Sequence, residues 1–267
     1  MTLQKDQCCS KSEYSYWERM SPSPFLPGIT LTGADDSVTI DDLLVLKDLS
    51  YRVEIGILYT YDPEGRPRHP TVEKIEEMVD RLGDRCAIHV CGGRARRALF
   101  EDPIPLWLRL AGRIQVNGIV LPEELLQLTD RYQCIITQHT PENAGLEMLE
   151  DLHGRHDILV DGSGGRGILP DRWVTPFTSK TTFTPFTSKT IGYAGGLSPT
   201  NLASQLDRIT PNHAMFWWVD MESSLRTFGD RFCPALAVQA VQEFHAWGER
   251  MKWGRRDFPV LPTGETP

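Results

Sequence analysis

Two kinds of apolar pattern alternate along the chain. Short unbroken runs at Phe25–Leu31, Val53–Tyr59, Cys86–Val90, Arg113–Val116, Cys134–Thr137, Asp157–Val160, Ile191–Ala194 and Phe216–Val219 have the length and content of buried parallel strands. Between them the apolar positions shift to a helical period. After His69-Pro70-Thr71, residues Ile75, Met78, Val79 and Leu82 recur at i, i+3, i+4 and i+7, and Gly83 ends the run. Thr140-Pro141 opens a second predicted helix, with Leu146, Leu149 and Leu152 on one face and Gly154 as its stop. Ser198-Pro199 opens a third carrying Leu202, Leu206 and Ile209, and Val238, Val241 and Phe244 mark the last.

Strand followed by helix, repeated without hairpin turns, predicts a parallel α/β sheet, and eight strands is the number that closes a barrel. The expected fold is therefore a (β/α)₈ TIM barrel spanning 25–250, in preference to a doubly wound sheet. Residues 1–24 are polar and end in Ser21-Pro22-Ser23-Pro24, which predicts an N-terminal tail or a lid, and 251–267 form a C-terminal tail. One anomaly interrupts the rhythm. Thr175-Pro-Phe-Thr-Ser-Lys-Thr-Thr-Phe183 is followed at once by Thr184-Pro-Phe-Thr-Ser-Lys-Thr190, a tandem duplication between strands six and seven. It reads as an inserted loop, or as a device by which Ser179-Lys180 or Ser188-Lys189 reaches an anion.

Composition narrows the partners. With 267 residues and 40% apolar content the chain can bury one barrel-sized core, while a formal net charge of −8 argues against a nucleic-acid backbone as partner. Any anion site must be local. The six cysteines form no CxxC pair, so neither a disulfide framework nor a metal site is indicated. No apolar stretch is long enough to span a membrane and the N-terminus lacks a signal-peptide core, which predicts a cytoplasmic monomer or homodimer.

Candidate chemistry gathers in the last third. Asp161-Gly-Ser-Gly-Gly-Arg-Gly167 directly follows a strand, where Gly164, Gly165 and Gly167 would let backbone N–H groups converge on a phosphate and Arg166 could add a charged contact. Asp161 would point into the barrel mouth, or cap the turn. Strand seven ends in Ala194-Gly195-Gly196-Leu197-Ser198-Pro199-Thr200-Asn201, a glycine pair leading into a helix N-terminus, and strand eight ends in Asp220-Met221-Glu222-Ser223-Ser224. The loops after strands seven and eight are the usual phosphate corner of such barrels, so a small phosphorylated metabolite is the expected ligand.

Taken in order, these segments resemble the phosphoribosylanthranilate isomerase family of tryptophan biosynthesis. Val160-Asp161 with Gly164-Gly165-Arg166-Gly167 and Asp171-Arg172-Trp173 is similar to the family's strand-six aspartate, GGTG turn and downstream tryptophan. Ala194–Asn201 is similar to AGGL-x-P-x-N, and Val219–Ser224 to VD-x-x-SG. Upstream, Ile114-Gln115-Val116-Asn117-Gly118 resembles VQLHG, while Gly56–Tyr59 with Arg66 and Arg68 resembles GF-x-F and the following SPR. The resemblance implies an Amadori aldose–ketose isomerisation of a phosphoribosyl-amine without metal or organic cofactor. It makes Asp161 the general acid, Arg66 or Arg68 the clamp on the anthranilate carboxylate, and Gln115 and Asn117 substrate contacts.

The departures fall on the catalytic positions. Thr30-Leu31-Thr32-Gly33 stands where the family has KICG, so Thr32 occupies the site of the cysteine base, and a threonine hydroxyl is too weak an acid to supply that anion. Asn117 replaces a histidine, and Ser224 and Arg226 replace glycine and glutamate. Asp35, Asp36, His89, Cys91 and His139, all at predicted strand ends, are the groups from which another base could come. Three functions remain in view: an isomerase of this type, a related barrel acting on a different phosphorylated sugar or nucleotide-like ligand, and a non-catalytic barrel that binds a phosphometabolite or a protein.

Overall fold

Eight strands form at the apolar runs: β1 (Gly28–Thr32), β2 (Val53–Tyr59), β3 (Cys86–Val90), β4 (Arg113–Val116), β5 (Ile135–Gln138), β6 (His156–Asp161), β7 (Ile191–Ala194) and β8 (Trp217–Met221). They belong to a computed structural model that describes residues 27–251 apart from 144, 147–148, 150–151, 153–154, 162, 164, 174–188, 211–216 and 228. Each strand pairs in parallel with the next, and β1 pairs with β8, so the sheet closes as a (β/α)₈ barrel. Several ends move from the predicted positions, because the ladder and not the apolar run sets them. Ala194 of β7 pairs with Asp161 on one side and Asp220 on the other, which carries β6 and β8 past their apolar residues into carboxylates.

The helices pack outside. α1 (Ile40–Leu49) is capped by Thr39, whose side chain accepts from Asp42 N; α2 (Val72–Leu82) is capped in the same way by Thr71 and buries Ile75, Met78, Val79 and Leu82. α3 (Gly93–Ala98), α4 (Leu106–Leu110) and α5 (Pro122–Arg131) follow, then α6 (Leu202–Ile209) and α7 (Pro234–Arg250). The helix predicted from Thr140-Pro141 falls in large part outside the described residues; of those described between Thr140 and Arg155, Leu146 N donates to Asn143 O at 2.9 Å, an i to i−3 bond, and Leu146 and Leu152 are buried as the pattern required. The helix after β7 starts later than predicted, since Ser198-Pro199-Thr200-Asn201 forms a turn closed by Asn201 Oδ1 accepting from Ser198 N. Met251 apart, the predicted tails lie outside the described residues, as do residues 175–188 of the duplication. Its Lys189 donates to His156 Nδ1 at 2.7 Å, at the first residue of β6, and so sits at the opposite end of the barrel from the mouth.

Strand alternation divides the tryptophan pair. Trp217 faces outward onto Trp247 of α7, ring centroids 6.3 Å apart, while Trp218 turns into the barrel against Ile136 and Leu159. Gly192 makes room for it: a Cβ there would meet Trp218 at 2.2 Å. Below the mouth the interior is charged. Arg113, Glu54 and Asp157 are each 0–1% exposed; Arg113 ion-pairs with both carboxylates and lies 4.1 Å above the Trp218 ring. Burial opposes the guanidinium's charge, but Glu54 and Asp157 outweigh it and its pKa is raised. Arg113→Met leaves two carboxylates buried without their cation and should lower unfolding free energy by about 3–5 kcal/mol. A urea titration showing a loss below about 1 kcal/mol would contradict this role.

Candidate functional site

The C-terminal ends of the strands enclose a cavity of about 620 Å³. Three loops build one wall. Asp161, the last residue of β6, accepts from Ser163 N (2.9 Å) and Ser163 Oγ (2.7 Å) through Oδ1, and from Gly165 N (2.5 Å) through Oδ2. The carboxylate thereby holds the glycine-rich turn in shape, the ordinary role open to an aspartate at a strand end. The β7 loop fits against this turn. Gly196 has φ +66°, and a Cβ on it would lie 2.2 Å from Leu169 N, so only glycine allows the two backbones to approach. The β8 loop joins through Ser224 Oγ, which donates to Leu197 O at 2.6 Å, and through Ser223, whose side chain faces Gly167.

Gly165, Gly167, Gly195, Gly196, Ser223 and Ser224 therefore meet at one corner of the cavity. The corner ends in a 3₁₀ turn, Ser223–Leu225, whose first N–H groups find no acceptor among the described residues. Gly164 lies outside the described residues. Arg166 does not join the corner: its Nε donates to Ser163 O at 2.8 Å and the side chain stands outside the cavity.

Strand β8 contains the main departure from the sequence-based assignment of roles. Thr32 does not border the cavity. It lies 1% exposed beneath Asp220 and donates to Asp220 Oδ1 at 2.6 Å. Asp220 does border it, with Oδ2 4.0 Å from His89 Nε2. Burial pushes the Asp220 carboxyl up to about 7, against the hydrogen bond from Thr32, which alone would lower it. The same burial, aided by Arg113, lowers His89 to about 3, so the imidazole beside Asp220 is neutral. Asp161 and Asp220 both pair with Ala194, and two inter-strand spacings place their backbones roughly 9 Å apart across the mouth.

The other candidates separate. Asp35 accepts from Phe232 N at 2.8 Å and pairs with Arg226 at 2.7 Å; Asp36 receives Thr71 N at the start of α2; both are anchors. His139 does not border the cavity. Cys91 does, but burial pushes its thiol up to about 11, far from a reactive thiolate. Gln115 Nε2 donates to Asn117 Oδ1 at 2.9 Å, Asn117 Nδ2 donates to Cys91 Sγ at 3.6 Å, and all three border the cavity. Arg66 is exposed and faces an adjoining depression with Asp36 and Glu64, outside the mouth. Arg68 reaches the mouth, but with its Nε on both oxygens of Asp230 (2.9 and 2.7 Å) and Nη1 on Glu222 Oε1 (2.7 Å). Arg226, at the family's glutamate position, is tied to Gly33 O, Asp35 and Asp230, and fastens the β8 loop to the β1 loop.

Asp220 is the group that strand patterning alone did not single out. It shares the parity of Trp218, but two consecutive tryptophans do not reveal which one faces inward. Fold and cavity define a closed parallel (β/α)₈ barrel with its cavity at the C-terminal ends of the strands. Two solved structures are similar to it. Phosphoribosyl anthranilate isomerase from Thermus thermophilus superposes with a TM-score of 0.58 at 17% identity, covering 82% of this chain and 98% of that one. TrpF from Jonesia denitrificans gives 0.56 at 19% identity, covering 83% and 98%. No model of a known protein family matches the chain, and no curated protein matches its sequence.

Two outcomes follow from this geometry. Gly196→Ala forces backbone against backbone at Leu169 and should cost about 1–3 kcal/mol in urea unfolding. Because the folded Asp220 carboxyl titrates near 7, against an ordinary 3.8, its proton is held more tightly in the folded chain. Its contribution to stability is complete below about pH 4 and is lost as pH rises to about 7. Stability relative to Asp220→Asn should therefore fall across that window, by at most about 4 kcal/mol, and then level off. A difference that stays flat from pH 4 to 8 would contradict the buried carboxyl.

Proposed function

We propose that this barrel isomerises a phosphorylated aldose or glycosylamine to the corresponding ketose, with the phosphate on the Gly195-Gly196 and Ser223-Ser224 corner and Asp220 moving the proton. The observation that carries the reading is the Asp220 carboxyl: buried, bordering the cavity, titrating near 7, with one oxygen anchored by Thr32 and the other facing the neutral His89. A carboxyl divided between its two forms near neutrality takes a proton from carbon and returns it with little penalty either way. Thr32, too weak an acid to be the base itself, becomes a positioning residue that aims Asp220. Asp161 keeps the corner in shape across the mouth.

The chemistry balances within one molecule. After ring opening, Asp220 as carboxylate removes the C2 proton. The C–H electron pair forms the C1–C2 double bond while the π pair of the C1 carbonyl or iminium moves onto its oxygen or nitrogen, the oxygen taking a proton from water, to give an enediol or enaminol. The C2 hydroxyl then releases its proton as the C2 carbonyl forms, and the C1–C2 π pair takes the proton from Asp220 at C1. No external oxidant or reductant enters. The N–H groups of Ser223 and Ser224, which find no acceptor among the described residues, together with the glycine turns, support a dianionic phosphate at the corner. The similarity to the two isomerase structures supports the architecture on which this chemistry is placed.

In deuterated buffer, ribose 5-phosphate should exchange its C2 hydrogen and yield ketose by NMR, with Asp220→Asn slower by about a hundredfold or more. The rate should rise with a midpoint near pH 7 as Asp220 ionises and level off above it. Thr32→Val should shift that profile upward in pH, since the hydrogen bond favouring the ionised form is lost. Binding of ribose 5-phosphate without exchange or turnover of any phosphorylated aldose or glycosylamine would sink the catalytic reading and leave a metabolite-binding barrel.

A further inference from the structure

Beyond the phosphate corner and Asp220, the far side of the mouth decides what else the ligand carries. Arg68 is the guanidinium there, and the protein's own carboxylates already occupy it. Its Nε faces both oxygens of Asp230 and its Nη1 faces Glu222. Asp230 is shared with Arg226, whose Nε is 2.9 Å from Asp230 Oδ1 and whose Nη2 is 2.7 Å from Asp35. Along this side two guanidiniums thus meet Asp35, Asp230 and Glu222, with Asp220 alongside, and no net positive charge is left over. The nearby His69 adds none, because burial first, and then the neighbouring arginines, lower its pKa.

A second, independent feature asks for a hydrogen-bond donor. Gln115 is 4% exposed and borders the cavity, and its Oε1 has no partner among the described residues. The orientation of that amide follows from the chain of bonds in which Gln115 Nε2 donates to Asn117 Oδ1 and Asn117 Nδ2 donates to Cys91 Sγ. A buried acceptor left unpaired costs about 1–3 kcal/mol until a ligand N–H or O–H reaches it. A carboxylate supplies no such donor and would have to displace Glu222 or Asp230 from Arg68.

We infer that the substituent distal to the phosphate is an uncharged or cationic hydrogen-bond donor, such as an amide or amine, and not a carboxylate such as that of anthranilate. This rests on the phosphosugar reading above and narrows it. Selection works by exclusion: the self-neutralised arginine withdraws the attraction a carboxylate would need, and the unpaired Gln115 oxygen rewards a donor.

The test is calorimetry with two unreactive probes of the same shape, the reduced N-(2-carbamoylphenyl)- and N-(2-carboxyphenyl)-1-amino-1-deoxypentitol 5-phosphates, alongside ribose 5-phosphate. The wild-type chain should bind the carbamoyl probe about tenfold more tightly than the carboxyl probe. Asp230→Asn, at a backbone φ of +59° that asparagine tolerates, removes one of the two carboxylates on Arg68 and should reduce that ratio about tenfold, a readout from which any general weakening cancels. A wild-type ratio of one or below overturns this inference alone when ribose 5-phosphate still binds. Failure of ribose 5-phosphate and both probes to bind overturns it together with the phosphosugar reading. Should the variant fail to fold, the wild-type ratio decides.

Discussion

Closing eight parallel strands into a barrel leaves an interior that has to be filled, and here Arg113 anchors the filling. Its guanidinium joins Glu54, Asp157 and the Trp218 ring into one buried group that spans β2, β4, β6 and β8. Alternate strands thus contribute to a single layer, as in barrels of this class. An apolar layer would fill the space too, but would not set charge against charge across the barrel. Gly192 exists in this arrangement because Trp218 needs its volume, and the inward parity of Trp218 passes along β8 to Asp220.

The mouth inherits its electrostatics from that floor. Asp220 is close enough to the buried group to be raised further by Glu54 and held back by Arg113, yet desolvation dominates its titration. The consequence is a division of labour between carboxyls at the ends of β6 and β8. Asp161 meets three donors from its own loop and serves as the fastening of a turn. Asp220 meets one donor and keeps an oxygen toward the cavity. Two aspartates in corresponding places on the strands either side of β7 thus end with unequal tasks, set by how many donors each receives and how much water each retains.

The arginines tell the same story of context. By sequence, Arg68 and Arg66 resemble carboxylate clamps, and Arg226 replaces a glutamate. In the fold, Arg226 ties the β1 and β8 loops, Asp230 bridges it to Arg68, and Arg66 turns to a separate depression. The barrel fold leaves the charges at its mouth to be set by the loop residues of this chain.

Much of the fold was legible in the sequence, because strand and helix periods are local properties: unbroken apolar runs, the 3.6-residue spacing of Ile75, Met78, Val79 and Leu82, and caps such as Thr71. The gathering of glycines and serines at one corner was legible too, since loops after successive parallel strands must emerge at the same end. The late start of the helix after β7 was not, because Asn201 Oδ1 closes a turn on Ser198 N where the Ser198-Pro199 signal alone opens a helix. Nor were the inward orientation of Asp220, the descent of Thr32 into its support, or the neutralisation of Arg68 by Asp230. These depend on strand parity, inter-strand register and contacts between residues far apart in the chain, such as Thr32 with Asp220, which only the closed barrel brings within hydrogen-bonding distance.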